Sequence, residues 1–147
     1  MLLLRSLLVA AFLMLAPCLA SAQQQWSKWY FGLNAGLDFT SGSPRLIRGL
    51  TTTLEGTAAI AHPTNGAILF YTDGVTVWNR DHVPMPNGRG LLGHYSTTQS
   101  ALIVPMPGIP NRYYLFTADA FEDMEPGKSY DGINYSIVDM SLDNGRG

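Results

Sequence analysis

The residues best suited to chemistry crowd one acidic stretch: Asp119, Glu122, Asp123, Glu125 and Asp131. Carboxylates are hard oxygen donors, so Asp119, Glu122, Asp123 and Asp131 are the candidate calcium ligands. Their spacing does not follow the D-x-D-x-D-G pattern of an EF-hand loop. A solvated loop between two strands explains the same residues and is the expectation. The stretch also offers carboxylate pairs for glycoside hydrolysis, which needs two such groups roughly 5–10 Å apart across a cleft. A sequence carries no such distance. His62 precedes a proline, His82 sits in the Arg80-Asp81-His82 loop, and His94 follows a glycine. They form no His-x-x-x-His pair, so a zinc site would need carboxylates brought in by folding. There is no G-x-S-x-G elbow, Walker loop or G-x-G-x-x-G fingerprint after a strand. The only cysteine, Cys18, lies near the N-terminus, leaving no thiol nucleophile or thiolate ligand downstream. The sequence therefore predicts no catalytic residue and no cofactor.

Two further groups invite a functional reading. Thr72-Asp73-Gly74-Val75-Thr76-Val77-Trp78 is similar to the Asp-box of sialidase-type propellers. That box holds one residue between aspartate and glycine, whereas here they are adjacent. A hairpin turn followed by a core tryptophan is the simpler reading. Trp26, Trp29, Tyr30 and Phe31 form an aromatic cluster that could stack on a sugar or anchor a partner. Residues 29–39 also read as strand, turn, strand, and a first strand closing a ring onto the last blade is the expected role.

The elements that must position these residues begin after a leader. Met1 to Arg5 carry one positive charge, Leu7 to Leu15 are apolar throughout, and Ala20-Ser21-Ala22 supplies small residues before Gln23. This is the pattern of a secretory signal peptide over residues 1–22. The apolar run is too short for a membrane span of about 20 residues. Leu15-Ala16-Pro17-Cys18 is loosely similar to a lipidation box, with proline where a small residue is preferred. The chain is thus expected to be exported, to the extracellular space or the outer cell surface. Residues 23–147 are expected to form one all-β domain. Fifty of these 125 residues are apolar, enough for a packed core and too many for a disordered tail. Eight Lys and Arg stand against eleven Asp and Glu, a balance that argues against a nucleic-acid groove or a polybasic membrane patch.

Fifteen glycines and nine prolines punctuate the chain and leave no long 3.6-residue apolar period. Between them lie strand-like runs: 29–32, 57–62, 67–72, 75–79, 100–104, 113–118 and 134–140. Asn65-Gly66 and Asp73-Gly74 are turn dipeptides. A two-residue loop at Asp73-Gly74 would set Thr72 opposite Val75, Phe70 opposite Val77 and Leu69 opposite Trp78. Alternation would then send Ile68, Phe70, Val75 and Val77 to one face and Leu69, Tyr71 and Trp78 to the other. A hairpin apolar on both faces needs cover on both, as a propeller blade has. The segment Ala58 to Ala61 followed by Leu69 to Asp73 is echoed by Ala101 to Val104 followed by Tyr114 to Asp119, at offsets of 43 to 45 residues. Periods of about 40–45 residues belong to four-stranded propeller blades. The predicted class is all-β, with antiparallel four-stranded meanders forming a partial β-propeller of about two blades. Propellers need about four to eight blades, so the chain is expected to be the N-terminal part of a longer protein.

Trp29-Tyr30-Phe31-Gly32, Ala35-Gly36-Leu37-Asp38-Phe39, Leu69 to Asn79, Met85-Pro86-Asn87-Gly88, Gly90 to His94, Thr98 to Pro105 and Tyr135 to Met140 carry a resemblance. Together they resemble the N-terminal region of large Bacteroidetes surface proteins. Those proteins carry PKD or Ig-like modules and a C-terminal gliding-motility-associated or type IX secretion sorting domain. The resemblance runs from Trp29 to Gly147 and implies a propeller-type, all-β front domain, with no catalytic residue to carry over. The function expected is a secreted, non-catalytic interaction or spacer module of a bacterial cell-surface protein. Its partners would be an extracellular glycan or protein and the remaining modules of a longer chain, not nucleic acid. The alternative is a fragment of an extracellular glycosidase-type hydrolase.

Overall fold

The computed structural model describes residues 24–120 and 132–147. A single 3-10 turn, Gln24–Trp26, leads into ten strands. They are β1 (Lys28–Phe31), β2 (Leu33–Asp38), β3 (Arg45–Thr52), β4 (Ala58–Ala61), β5 (Ile68–Thr72), β6 (Thr76–Asn79), β7 (Pro84–Arg89), β8 (Ala101–Pro105), β9 (Arg112–Ala118) and β10 (Ile133–Asp139). All pairings are antiparallel between sequence neighbours. The strands form three consecutive meanders, β1-β2-β3, β4-β5-β6-β7 and β8-β9-β10. The all-β antiparallel class is as expected. The three sheets do not close into a ring or barrel among the described residues. No helix there is long and apolar enough to cross a membrane.

The sequence reading expected about two four-stranded units. Among the described residues there are three meanders, and only the middle one has four strands. Two strands escaped notice for identifiable reasons. β3 follows a proline and carries two arginines and Gly49, which read as loop. β7 contains Pro84 and Pro86, which is tolerable because it is the edge of its sheet. β1 does not close a ring onto the last sheet; it hydrogen-bonds β2 and heads a sheet of its own.

The hairpin at Asp73-Gly74 also differs from expectation. Phe70 pairs with Asn79, Tyr71 with Trp78 and Thr72 with Val77. The loop is therefore four residues, not two. Side chains build it: Asp73 Oδ1 accepts from the N–H groups of Val75 at 3.0 Å and Thr76 at 2.8 Å. Thr72 Oγ1 accepts from Gly74 N–H at 2.9 Å and donates to the Thr76 carbonyl at 2.7 Å. Such a side-chain-braced turn competes with the tight two-residue one. Gly74 takes φ +92°, which glycine alone adopts without strain.

The two-faced character of this hairpin holds. Phe70 and Val77 enter a core shared with Ala101, Ile103, Leu115, Val138 and Met140 of the third meander. Tyr71 and Trp78 enter a second core with Tyr30 of the first. Phe70 and Tyr71 are both 0 % exposed, so both faces are sealed. Ile68 and Leu69 exchange the faces expected of them. Ala61 pairs with Ile68 while Ile60 pairs with Phe70, so Leu69 is a bulge and the alternation slips by one. Leu69 joins the first core and Ile68 the second.

The internal repeat is real in register but not in facing. Ala58 pairs with Thr72 and Ile60 with Phe70, as Ala101 pairs with Thr117 and Ile103 with Leu115. Yet Ile60 and Phe70 point toward the third meander, and Ile103 and Leu115 point back at them. Matching faces requires a shift of 44, which sets Ala59 with Ile103 and Tyr71 with Leu115.

The first meander makes room for a ring. A Cβ on Gly49 would lie 2.5 Å from Cδ1 of Tyr30, so the glycine forms the bed on which Tyr30 lies. Gly49→Ala is expected to destabilise the protein by roughly 1–3 kcal/mol through overpacking. Urea denaturation measures this. An unchanged midpoint would mean that Tyr30 is free to move aside.

Candidate functional site

Of the acidic candidates, only Asp119 is among the described residues; Glu122, Asp123, Glu125 and Asp131 lie outside them. Asp119 closes the end of β9. Its N–H donates to the Gly132 carbonyl at 3.0 Å, and its Oδ1 accepts from Ala120 N–H at 2.8 Å. Among the described residues, no group of three or more His, Cys, Asp or Glu is placed to hold a metal.

Five of the other described carboxylates are tied to structure. Asp38 is buried at the end of β2, 2.8 Å from Lys28 Nζ and 3.1 Å from an Arg45 guanidinium nitrogen. Burial would raise its carboxyl, but the Lys28 hydrogen bond, the Thr40 hydroxyl and N–H, and the Lys28 charge outweigh it. They hold the group well below the usual carboxylate range. Asp139 binds the Ser141 hydroxyl and N–H and the Arg112 guanidinium, which bring its carboxyl down to about 2. Asp81 pairs with Arg146 at 2.7 Å, and Glu55 accepts from Thr98 at 2.7 Å. Asp73 braces its own hairpin, as the simpler reading of the Asp-box-like stretch requires, and Trp78 is a core residue.

The histidines do not converge on one site. His62 Nδ1 faces the Thr64 hydroxyl at 3.0 Å. His94 packs against Tyr95, the rings tilted by 39° with centroids 4.1 Å apart. His82, at φ +60°, places Nδ1 2.8 Å from the Tyr71 hydroxyl. That hydroxyl also accepts from Leu50 N–H at 3.1 Å. Tyr71 also stacks on Tyr30 at 4.2 Å and on Trp78 at 5.4 Å. Burial first, then the neighbouring Tyr71 and Asp38, push the Tyr30 phenol up to about 12. This cluster is a structural knot between the first two sheets.

The aromatic N-terminus divides. Tyr30 is buried in that knot, whereas Trp26, Trp29 and Phe31 remain exposed. Trp29 lies in the outward row of the first meander, beside Leu37 and Leu46, and packs against Phe39 at 4.8 Å. The third meander carries the larger exposed group. Tyr114, Phe116 and Tyr135 form a triangle with centroids 6.0 to 6.3 Å apart. Leu102, Ile133 and Ile137 flank them on the same outward face. Tyr135 is 65 % and Ile137 55 % exposed, and Leu46 at the other end is 89 % exposed. Among the described residues, each end of the row of sheets thus shows a mainly apolar face, with Arg48 on the first and the ion-paired Arg112 and Asp139 on the third. Sequence reasoning did not mark these residues as a site. The signal was the alternation Ile133, Tyr135, Ile137, of which only Tyr135 and Ile137 fell in a run read as a strand. An open cleft of about 530 Å³ also lies beside the β8–β9 loop, lined by His62, Leu69, Met106, Ile109 and Tyr113 among others.

Comparison with protein-family models, curated proteins and solved structures finds no match to this chain.

The electrostatics yield a pH dependence. The folded Asp38 carboxyl titrates below its unfolded value of about 3.9. Its contribution is therefore complete above that value and is lost as pH falls toward the folded one. Melting temperature should decline on acidification below pH ~4. In Asp38→Asn the melting temperature should be lower at neutral pH and this part of the acid decline should shrink. An unaltered acid limb in the variant would remove Asp38 from the account.

Proposed function

We propose that this protein is a secreted, non-catalytic, propeller-like module of a bacterial cell-surface protein, serving adhesion, interaction or the spacing of other modules. One observation carries the reading. The middle meander is sealed on both faces by its sequence neighbours, and the leading strands β1, β4 and β8 lie side by side. Meanders stacked face to face in chain order are how radially repeated sheets are built. The leader pattern supports export. The resemblance to Bacteroidetes surface proteins supports a place at the front of a gliding-motility-associated or type IX-secreted chain.

The hydrolase alternative gains no observation of its own. Among the described carboxylates, Asp38, Asp81 and Asp139 serve ion pairs, Asp73 a turn and Asp119 a strand end.

The reading is tested by incubating the exported chain with a panel of insoluble polysaccharides and with whole cells. Retention on one of these surfaces, with no release of reducing sugar, is expected. Reducing-sugar release that disappears in Asp119→Asn would overturn it in favour of the hydrolase.

A further inference from the structure

The first meander runs out of step with the other two. β4 and β8 start together, where Gly56 N–H donates to the Thr97 carbonyl at 3.2 Å and Ser100 Oγ to the Gly56 carbonyl at 2.6 Å. They also end together, since His62 and Met106 line one cleft. The two strands are therefore parallel neighbours. β1 lies against β4 in the opposite sense. Gln24, ahead of β1, donates its N–H to the carbonyl of Pro63, beyond β4, at 3.0 Å. Thr57, ahead of β4, donates its Oγ1 to the Tyr30 carbonyl near the end of β1. In direction β1 matches β5 and β9, the second strands of the other meanders. Its packing agrees. Tyr30 meets Tyr71 of β5 at 4.2 Å, as Tyr113 of β9 meets Phe70 of β5 at 5.3 Å. The exits agree too, because the β3–β4 connection runs beside the β7–β8 connection, with Leu54 N–H donating to the Tyr95 carbonyl at 3.2 Å. β1, β2 and β3 thus correspond to β5, β6 and β7. Among the described residues the first meander has no counterpart of β4.

The place of that counterpart is the inner edge of β1. Phe39 N–H donates to the Ser27 carbonyl at 2.7 Å, and bonded and non-bonded pairs alternate along an antiparallel ladder. Trp29 and Phe31 therefore bond β2, while Lys28 and Tyr30 turn their N–H and C=O groups toward the inner edge. Thr57 already answers the Tyr30 carbonyl. A cleft of about 250 Å³ borders this edge, lined by Trp26, Trp29, Phe31, Thr57 and Ala59 among others. The outer edges are blunted against strand addition, β7 by Pro84 and Pro86 and β3 by Arg45 and Arg48. β1 holds no proline, and its one charge, Lys28, is met by Asp38 at 2.8 Å.

Resting on the reading of this protein as a propeller-like module of a longer chain, we propose that the inner edge of β1 is a strand-addition site, which takes an extended segment from the remainder of that chain. The segment runs parallel to β4 and so antiparallel to β1, and bonds the outward groups of Lys28 and Tyr30. Main-chain bonds to an open sheet edge supply the affinity in such additions, and alternate side chains supply the selectivity. β4 and β8 show the side chains suited to this place: small and aliphatic residues, Ala58-Ala59-Ile60-Ala61 and Ala101-Leu102-Ile103-Val104, without charge. The added strand gives the first meander the four strands of the second.

The test is amide hydrogen exchange on residues 23–147, with and without a synthetic peptide copying residues 56–62, the β4 strand and its approach. Without peptide, the Lys28 and Tyr30 amides should exchange faster than those of Trp29 and Phe31. Saturating peptide should slow Lys28 and Tyr30 by about tenfold or more and leave Trp29 and Phe31 unchanged. The same peptide methylated on its backbone nitrogens should have no effect. Lys28 and Tyr30 amides that are slow from the start would overturn the proposal, because the edge would not be open. Protection at β10 in place of β1 would overturn it too. Isolated from its own cells as a single polypeptide, the protein should show both amides slow before any peptide is added. Fast exchange there would overturn the assignment of the strand to its own chain. Any of these failures leaves the module's surface-binding test as it stands.

Discussion

A β-sheet that is apolar on both faces cannot stand alone in water, and that constraint organises this molecule. The middle meander has Phe70 and Val77 on one side, Tyr71 and Trp78 on the other. Burying one large apolar side chain is worth about 1.5–3 kcal/mol, so neither set can be left in solvent without a large loss. The first and third meanders supply the cover. Each is itself one-sided in its described surroundings, apolar outside as well as inside, which turns a local packing requirement into a pattern that propagates outward.

The two junctions meet this requirement in different ways. Between the second and third meanders the contact is aliphatic, with Phe70 set edge-on to Tyr113 at 5.3 Å. Between the first and second it is aromatic and polar at once. Tyr71 stacks on Tyr30 while its hydroxyl takes the Leu50 N–H and reaches His82. A phenol suits this place because its body is apolar and its oxygen answers a backbone donor that burial would otherwise orphan. The functional reading follows from the same geometry. Among the described residues, the large apolar side chains that the stacking does not consume lie on the end faces.

Much of the strand plan was legible because β-branched and aromatic runs alternate with Gly and Pro. The need for cover on both sides of residues 68–79 could be read from alternation alone. Register could not. Asp73 and Thr72 brace a four-residue loop with their side chains, and the bulge at Leu69 reverses two residues. Both are decided by hydrogen bonds that residue spacing does not reveal. β3 and β7 were hidden by Gly49, Pro84 and Pro86, tolerated for a close ring contact and an edge position. The outward triangle of Tyr114, Phe116 and Tyr135 was visible as strand residues. Only the stacking order tells which side of the strand stays uncovered.

The central claim is that the middle meander has two cores, and truncating each in turn tests it most directly. Phe70→Ala and Tyr71→Ala, compared with wild type by urea denaturation, should each lose roughly 3–5 kcal/mol, as large-to-small changes at fully buried aromatics do. Comparable losses from neighbouring residues that point in opposite directions are what two sealed faces require. If either variant lost less than about 1 kcal/mol, the change would resemble a surface substitution. That face would not be a core, and the account of stacked meanders would fail.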